Sequence, residues 1–130
     1  MVSIDAELIS IENQATAANV NGKVLDFGEN GVTASAMYCM VKLTKGCTTG
    51  AVASVKVQSA PTAEFSTPVD EMTITVPAGV VQTAPCDLVQ FRMPLQMQNR
   101  YCRIVVVGGS IAPAGGKLWA YLTPEFNISL

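Results

Sequence analysis

Histidine is absent from all 130 residues of the chain. With it go the commonest general base, the usual middle member of a catalytic triad and the commonest zinc ligand. Charge is also scarce, since Asp, Glu, Lys and Arg make up only 14% of the sequence, against about a quarter in an ordinary soluble domain. A chain that stays alone in water normally carries more, so much of the exterior is expected to be covered, most simply by copies of the same chain. The eight basic residues are scattered singly and the net charge is −2. Clustered cations that neutralise phosphates are therefore missing, and no nucleic acid is expected as a partner. No apolar run approaches the roughly 18 residues of a membrane span, so no membrane partner is expected either. The stretch from Met1 to Gln14 lacks a basic region followed by an apolar one, so no secretory signal is visible, although a mature chain would already have shed it.

Cysteine occurs four times, at Cys39, Cys47, Cys86 and Cys102, and no two of these stand in a C-x-x-C pair. Zinc sites need close Cys or His pairs, so neither a metal nor another cofactor is expected. A disulfide framework in an exported domain stays open. The simpler expectation makes Cys39 and Cys102 small core residues. A cysteine nucleophile needs an activating base, for which His is the usual choice. The acids lie mostly in the N-terminal segment, in turns or on outward strand positions. Asp5, Glu7, Glu12, Asp70 and Glu71 are expected as solvated surface rather than as a glycosidase pair. Gly108-Gly109 and Gly115-Gly116 do not fit a phosphate-loop spacing and read as turn glycines. No catalytic residue, no enzymatic activity and no small-molecule substrate are expected.

What the chain does have is strand patterning: short alternating runs separated by Gly, Pro, Asn, Asp and Thr clusters. Lys23 to Phe27 reads as a short strand stopped by Gly28-Glu29-Asn30-Gly31. Ala36 to Lys45 follows, with Met37, Cys39, Val41 and Leu43 on one face and Tyr38, Met40, Lys42 and Thr44 on the other. Val52 to Gln58 sets Ala53, Val55 and Val57 against Ser54, Lys56 and Gln58. In the connector from Ser59 to Pro68, Phe65 is expected to plug the loop into the core. Glu71 to Val76 points Met72, Ile74 and Val76 inward. Asp87 to Met93 places Val89, Phe91 and Met93 opposite Leu88, Gln90 and Arg92. Tyr101 to Val107 is apolar on both faces apart from Arg103, as a central strand would be. Lys117 to Thr123 is the last strand. About seven or eight short strands and no helix predict an all-β, mainly antiparallel β-sandwich, either jelly roll or immunoglobulin-like, as a single domain over residues 1–130. Residues 1–21 form an N-terminal arm or a first strand, and 124–130 an irregular tail.

Candidate binding residues are those facing the wrong way. Leu118, Ala120 and Leu122 make a core face, which turns Lys117, Trp119 and Tyr121 outward. Aromatic rings beside a cation are the make-up of an interface hot spot, whereas an inverted register would place Trp119 in the core. Tyr38 and Met40 pose the same question, and Arg103 stands out within its apolar strand. Leu8, Ile9 and Ile11 are apolar yet precede a polar stretch from Glu12 to Asn21. They suit either an arm that adds to a neighbour's sheet by backbone pairing or the first strand of their own sandwich.

The order of these features resembles the jelly-roll capsid cement, or head-decoration, proteins of short-tailed bacteriophages. The stretches that carry the likeness are Val24-Leu25-Asp26-Phe27-Gly28 and the strand around Tyr38 to Leu43. Then come Val55-Lys56-Val57-Gln58-Ser59 with Phe65-Ser66-Thr67-Pro68, then Arg100-Tyr101-Cys102-Arg103-Ile104, and last Ala114-Gly115-Gly116-Lys117-Leu118-Trp119-Ala120. The likeness runs from about Asn19 to Leu122. It departs at the Ala60-Pro61-Thr62-Ala63 loop, where the family more often has acids, and at Cys102. The resemblance implies a homotrimer on the outer face of the virion head, made in the host bacterial cytoplasm. It would bind between subunits of the major capsid protein and stabilise the shell. An acidic, charge-poor chain suits the outside of a DNA-filled head better than its lumen. The rival reading is a carbohydrate- or host-surface-binding jelly-roll module of a virion, with Trp119, Tyr121 or Tyr38 as a stacking platform. Few aromatics are available for such a platform.

Overall fold

A strand that is apolar on one side must hide that side, and two sheets placed face to face hide each other's. The computed structural model describes residues 9–26, 37–94 and 97–123. They hold the strands β1 (Ile9–Ala15), β2 (Asn19–Asn21), β3 (Leu25–Asp26), β4 (Tyr38–Lys45), β5 (Val52–Ala60), β6 (Val69–Thr75), β7 (Cys86–Arg92), β8 (Tyr101–Gly108) and β9 (Lys117–Thr123). There is no helix among the described residues. The first sheet runs β1-β9-β4-β7 and the second β2-β8-β5-β6, with β3 pairing β8 beside β2. Every pairing is antiparallel. The antiparallel sandwich expected from the patterning is present.

The core lies between the sheets. Ile11, Cys39, Val41, Leu43, Leu118, Ala120 and Leu122 from the first sheet meet Val55, Val57, Cys102, Ile104 and Val106 from the second. All four cysteines are free thiols. Cys39 and Cys102 are fully buried, as expected. Burial pushes the Cys39 thiol far up, with Cys102 adding to the rise, and it pushes Cys102 up to about 12.

One open alternative is settled and three expectations change. Ile9–Ala15 is a strand paired to β9 of the same chain, so this part of the N-terminal segment is the first strand of its own sandwich. Leu8 and the residues before it lie outside the described residues, as does the 124–130 tail. The pairing of β1 breaks register twice, and Asn13 has a φ of 48°, so bulges erase the period of two that would have shown this strand in the sequence. At the first break Ser10 turns inward. Its hydroxyl donates to the Lys23 carbonyl (3.2 Å) and accepts from the Ile104 N–H (3.3 Å), tying the edge of one sheet to the other.

Ala53, assigned to the inner face of β5, is exposed. A register shift between Val52 and Ser54 lets Val52 and Val55 point inward on either side of it. Leu88, assigned outward, is buried together with Val89. Val41 pairs with Val89 and Lys42 with Asp87, leaving Leu88 as the extra residue of a bulge. Phe65 is buried, but it stands apart from the inter-sheet core. Arg103, on the outer side of β8, places its guanidinium 4.5 Å from the Phe65 ring centroid. The loop therefore folds over the outside of the second sheet. A φ of 53° at Phe65, unusual for an aromatic residue, aims the ring there.

Candidate interaction surface

The outer face of the first sheet collects most of the outward residues picked out by the sequence. Because side chains alternate, the burial of Leu118, Ala120 and Leu122 turns Lys117, Trp119 and Tyr121 to the outside, where all three are half-buried. The inverted register is excluded. Cross-strand pairing arranges these residues in transverse rows. One row runs Ile9–Tyr121–Met40–Gln90 across all four strands. A second runs Trp119–Lys42–Asp87, and a third Thr123–Tyr38–Arg92. Lys117 lies directly opposite Lys45 at the end of β4.

Lateral neighbours partly cover the aromatic rings. The Lys42 ammonium lies 5.7 Å from the Tyr121 ring centroid, within cation–π range. Burial raises the Tyr121 phenol above its usual pKa, and Asp87 and Cys39 add to the rise. Lys42, Lys45, Arg92 and Lys117 have no carboxylate partner among the described residues. An acidic protein thus carries half of its cations on one face, interleaved with Trp, Tyr and Met and without an ion pair among the described residues. An open depression of about 460 Å³ flanks the Lys42–Asp87 end, beside Pro85 and Cys86.

The other candidates separate from this face. Ile11 is 0% exposed and belongs to the core, so it is not available to a partner. Ile9 joins the outer row beside Tyr121. Arg103 is on the opposite sheet, where it serves its own fold. Besides covering Phe65, its Nε donates to Gln58 Oε1 (3.1 Å), and Gln58 Nε2 donates to Asp70 Oδ1 (2.8 Å). Lys56 bridges to the other Asp70 oxygen at 3.3 Å. The Gln58 amide, and after it Lys56, hold the Asp70 carboxyl below the usual carboxylate range. Arg100 forks onto both oxygens of Asp26 at 2.8 Å. Lys56 and Arg100 of the second sheet's side are therefore paired with carboxylates, whereas the four cations of the first sheet's outer face are not. Asp70 is exposed surface as expected, whereas Glu71 is half-buried and accepts from the Ser59 hydroxyl (2.5 Å) and the Gln98 N–H (2.8 Å).

Two residues that the sequence reading passed over are Val81 and Ile111, the exposed large hydrophobics of the described chain at 66% and 67%. Both lie in connections at one end of the sandwich. Their signal in the sequence is the absence of charge from Met72 to Cys86 and from Ile104 to Gly116, although such runs do not say which loops come together. Comparison with protein-family models finds none that matches the chain, and comparison with curated proteins finds no relative.

Proposed function

We propose that this protein is a capsid cement protein: a homotrimer that seats on the outer surface of a bacteriophage head, bridges major capsid protein subunits and stabilises the shell. The observation that carries the proposal is the outer face of the first sheet. Aromatic and Met side chains held in register beside four cations that form no ion pair among the described residues fit an acidic protein surface. Interface cores are rich in such aromatics, and cations complementary to the partner steer docking and set its register. The strand order supports a jelly roll. The chain passes back and forth between the sheets, and of consecutive strands only β5 and β6 are sheet neighbours, as in a wound pair of Greek keys. Weak contacts repeated around a closed shell give avidity without one tight interface.

Size-exclusion chromatography with light scattering, followed by co-sedimentation with purified expanded heads and a glycan array, tests the proposal. A trimer that pellets with heads and ignores glycans is expected. A monomer that binds glycans and leaves heads undecorated would transfer Trp119 and Tyr121 to a sugar-stacking role.

A further inference from the structure

The antiparallel order brings four connections to one end of the sandwich: residues 16–18, 46–51, 76–85 and 109–116. Not one residue in them is charged. Both exposed large hydrophobics among the described residues, Val81 and Ile111, stand on this end. Single exposed aliphatics are ordinary on a soluble protein, but two on one uncharged surface are not scattered.

The loops are also wired to one another. Thr48 N–H donates to the Ala114 carbonyl (2.8 Å) and Ala114 N–H returns a bond to Thr49 (2.9 Å). Gly108 N–H reaches the Ala18 carbonyl (2.8 Å), Thr16 N–H the Gly116 carbonyl (3.1 Å) and Cys47 N–H the Gln82 carbonyl (2.7 Å). The buried Gln82 amide completes the set like a short extra strand, accepting from Val52 N–H at 2.7 Å and donating to Val52 O at 2.9 Å. Gly50, with a φ of 67°, lies so close to the Ala112 carbonyl that a side chain there would collide with it. A surface fixed in this way loses little entropy when it is covered.

We infer that this uncharged end is where copies of the chain meet one another about their rotation axis. Residues nearest a rotation axis face their own copies, so any charge there would face a like charge, which is costly. The four connections meet that condition, with Lys45 and Lys117 at their rim on the first sheet's side. The outer face of the first sheet, with Lys42, Lys45, Arg92 and Lys117, does not, and it is left for a partner of opposite charge. The inference rests on the proposed function for the existence of an oligomer and assigns the surface that forms it.

Sedimentation velocity on the full chain at about 100 µM, a concentration that favours the oligomer by mass action, tests this with Ile111→Asp, Val81→Asp and Trp119→Ala, each checked by circular dichroism. Wild type is expected as an oligomer that Ile111→Asp and Val81→Asp return to folded monomers. Trp119→Ala should keep the oligomer and lose head binding. Should either Asp variant fail to fold, the neutral Ile111→Ser and Val81→Ser are expected to raise the dissociation constant about tenfold or more. Loop variants that keep the wild-type mass overturn the inference. So does dissociation caused by Trp119→Ala, or a wild-type monomer that instead floats with phosphatidylcholine vesicles. If heads still bind in any of those cases, the head-binding part of the cement proposal survives, and a wild-type monomer removes only its homotrimer. If oligomer and loop variants behave as expected and heads are ignored, the cement proposal alone fails.

Discussion

Lys117 and Lys45 face each other across β9 and β4 without a carboxylate near either. Like charges directly opposite destabilise a strand pair by about 0.2–1 kcal/mol, and opposite charges stabilise it by a similar amount. Lys117→Glu therefore has effects of opposite sign on fold and on binding. It replaces a repulsion with an attraction and should raise the stability of the free protein by about 0.5–1 kcal/mol. For a chain of this length that corresponds to a melting temperature higher by about 2–4 °C. The same change sets an anion on a face proposed to dock against acidic protein and should weaken head binding about five- to tenfold, or roughly 1 kcal/mol. The loss should shrink as salt is raised, because exposed charges are screened beyond a Debye length of about 8 Å at physiological ionic strength. Thermal melts by circular dichroism read the first effect, and co-sedimentation with heads at low and high salt reads the second. A variant that binds heads like wild type at low salt would refute an acidic partner for this face. One that melts several degrees lower would refute the Lys45–Lys117 pairing.

Leu118→Ala should cost about 2–5 kcal/mol, because Leu118 is fully buried. Trp119→Ala, one position along and on the outer face, should cost under about 1 kcal/mol of stability yet lose about tenfold or more in binding; chemical denaturation beside a binding titration separates the two. Gln82→Leu should destabilise by about 2 kcal/mol or more by orphaning the buried Val52 N–H and carbonyl, measured by urea unfolding. The Cys102 thiol is neutral in the fold because burial raises it from 9.0 to about 12, a difference worth about 4 kcal/mol. With the folded value the higher one, that stability is complete below pH 9.0 and is lost as pH climbs toward about 12. Denaturation midpoints across that range should fall for wild type and fall less steeply for a Cys39→Ala, Cys102→Ala double variant.

The sandwich was legible wherever alternation was unbroken. Strands β4 and β9 kept their faces because the period of two runs unbroken over 38–43 and 117–122. The same regularity made the outer aromatic face readable, since fixing Leu118 and Leu122 inward leaves Trp119 and Tyr121 outward. Bulges defeated the rest: Ser10 and Asn13 hide β1 inside a stretch that looks polar, and Leu88 and Ala53 swap faces where one extra residue enters a ladder. Arg103 looked like an interface cation because its neighbours are apolar, but Phe65 and Gln58, the latter held by Asp70, converge on it from parts of the chain far along the sequence. The uncharged end was present in the sequence as charge-free runs. Only the strand order shows that they share one surface.

A reconstruction of a head decorated with this protein gives the most direct test. The outer face of β1-β9-β4-β7 should lie against the shell, with Trp119 and Tyr121 covered and acidic capsid residues opposite Lys42 and Lys117. If that face instead points to solvent, or bare heads remain after saturating protein is added, the account is contradicted.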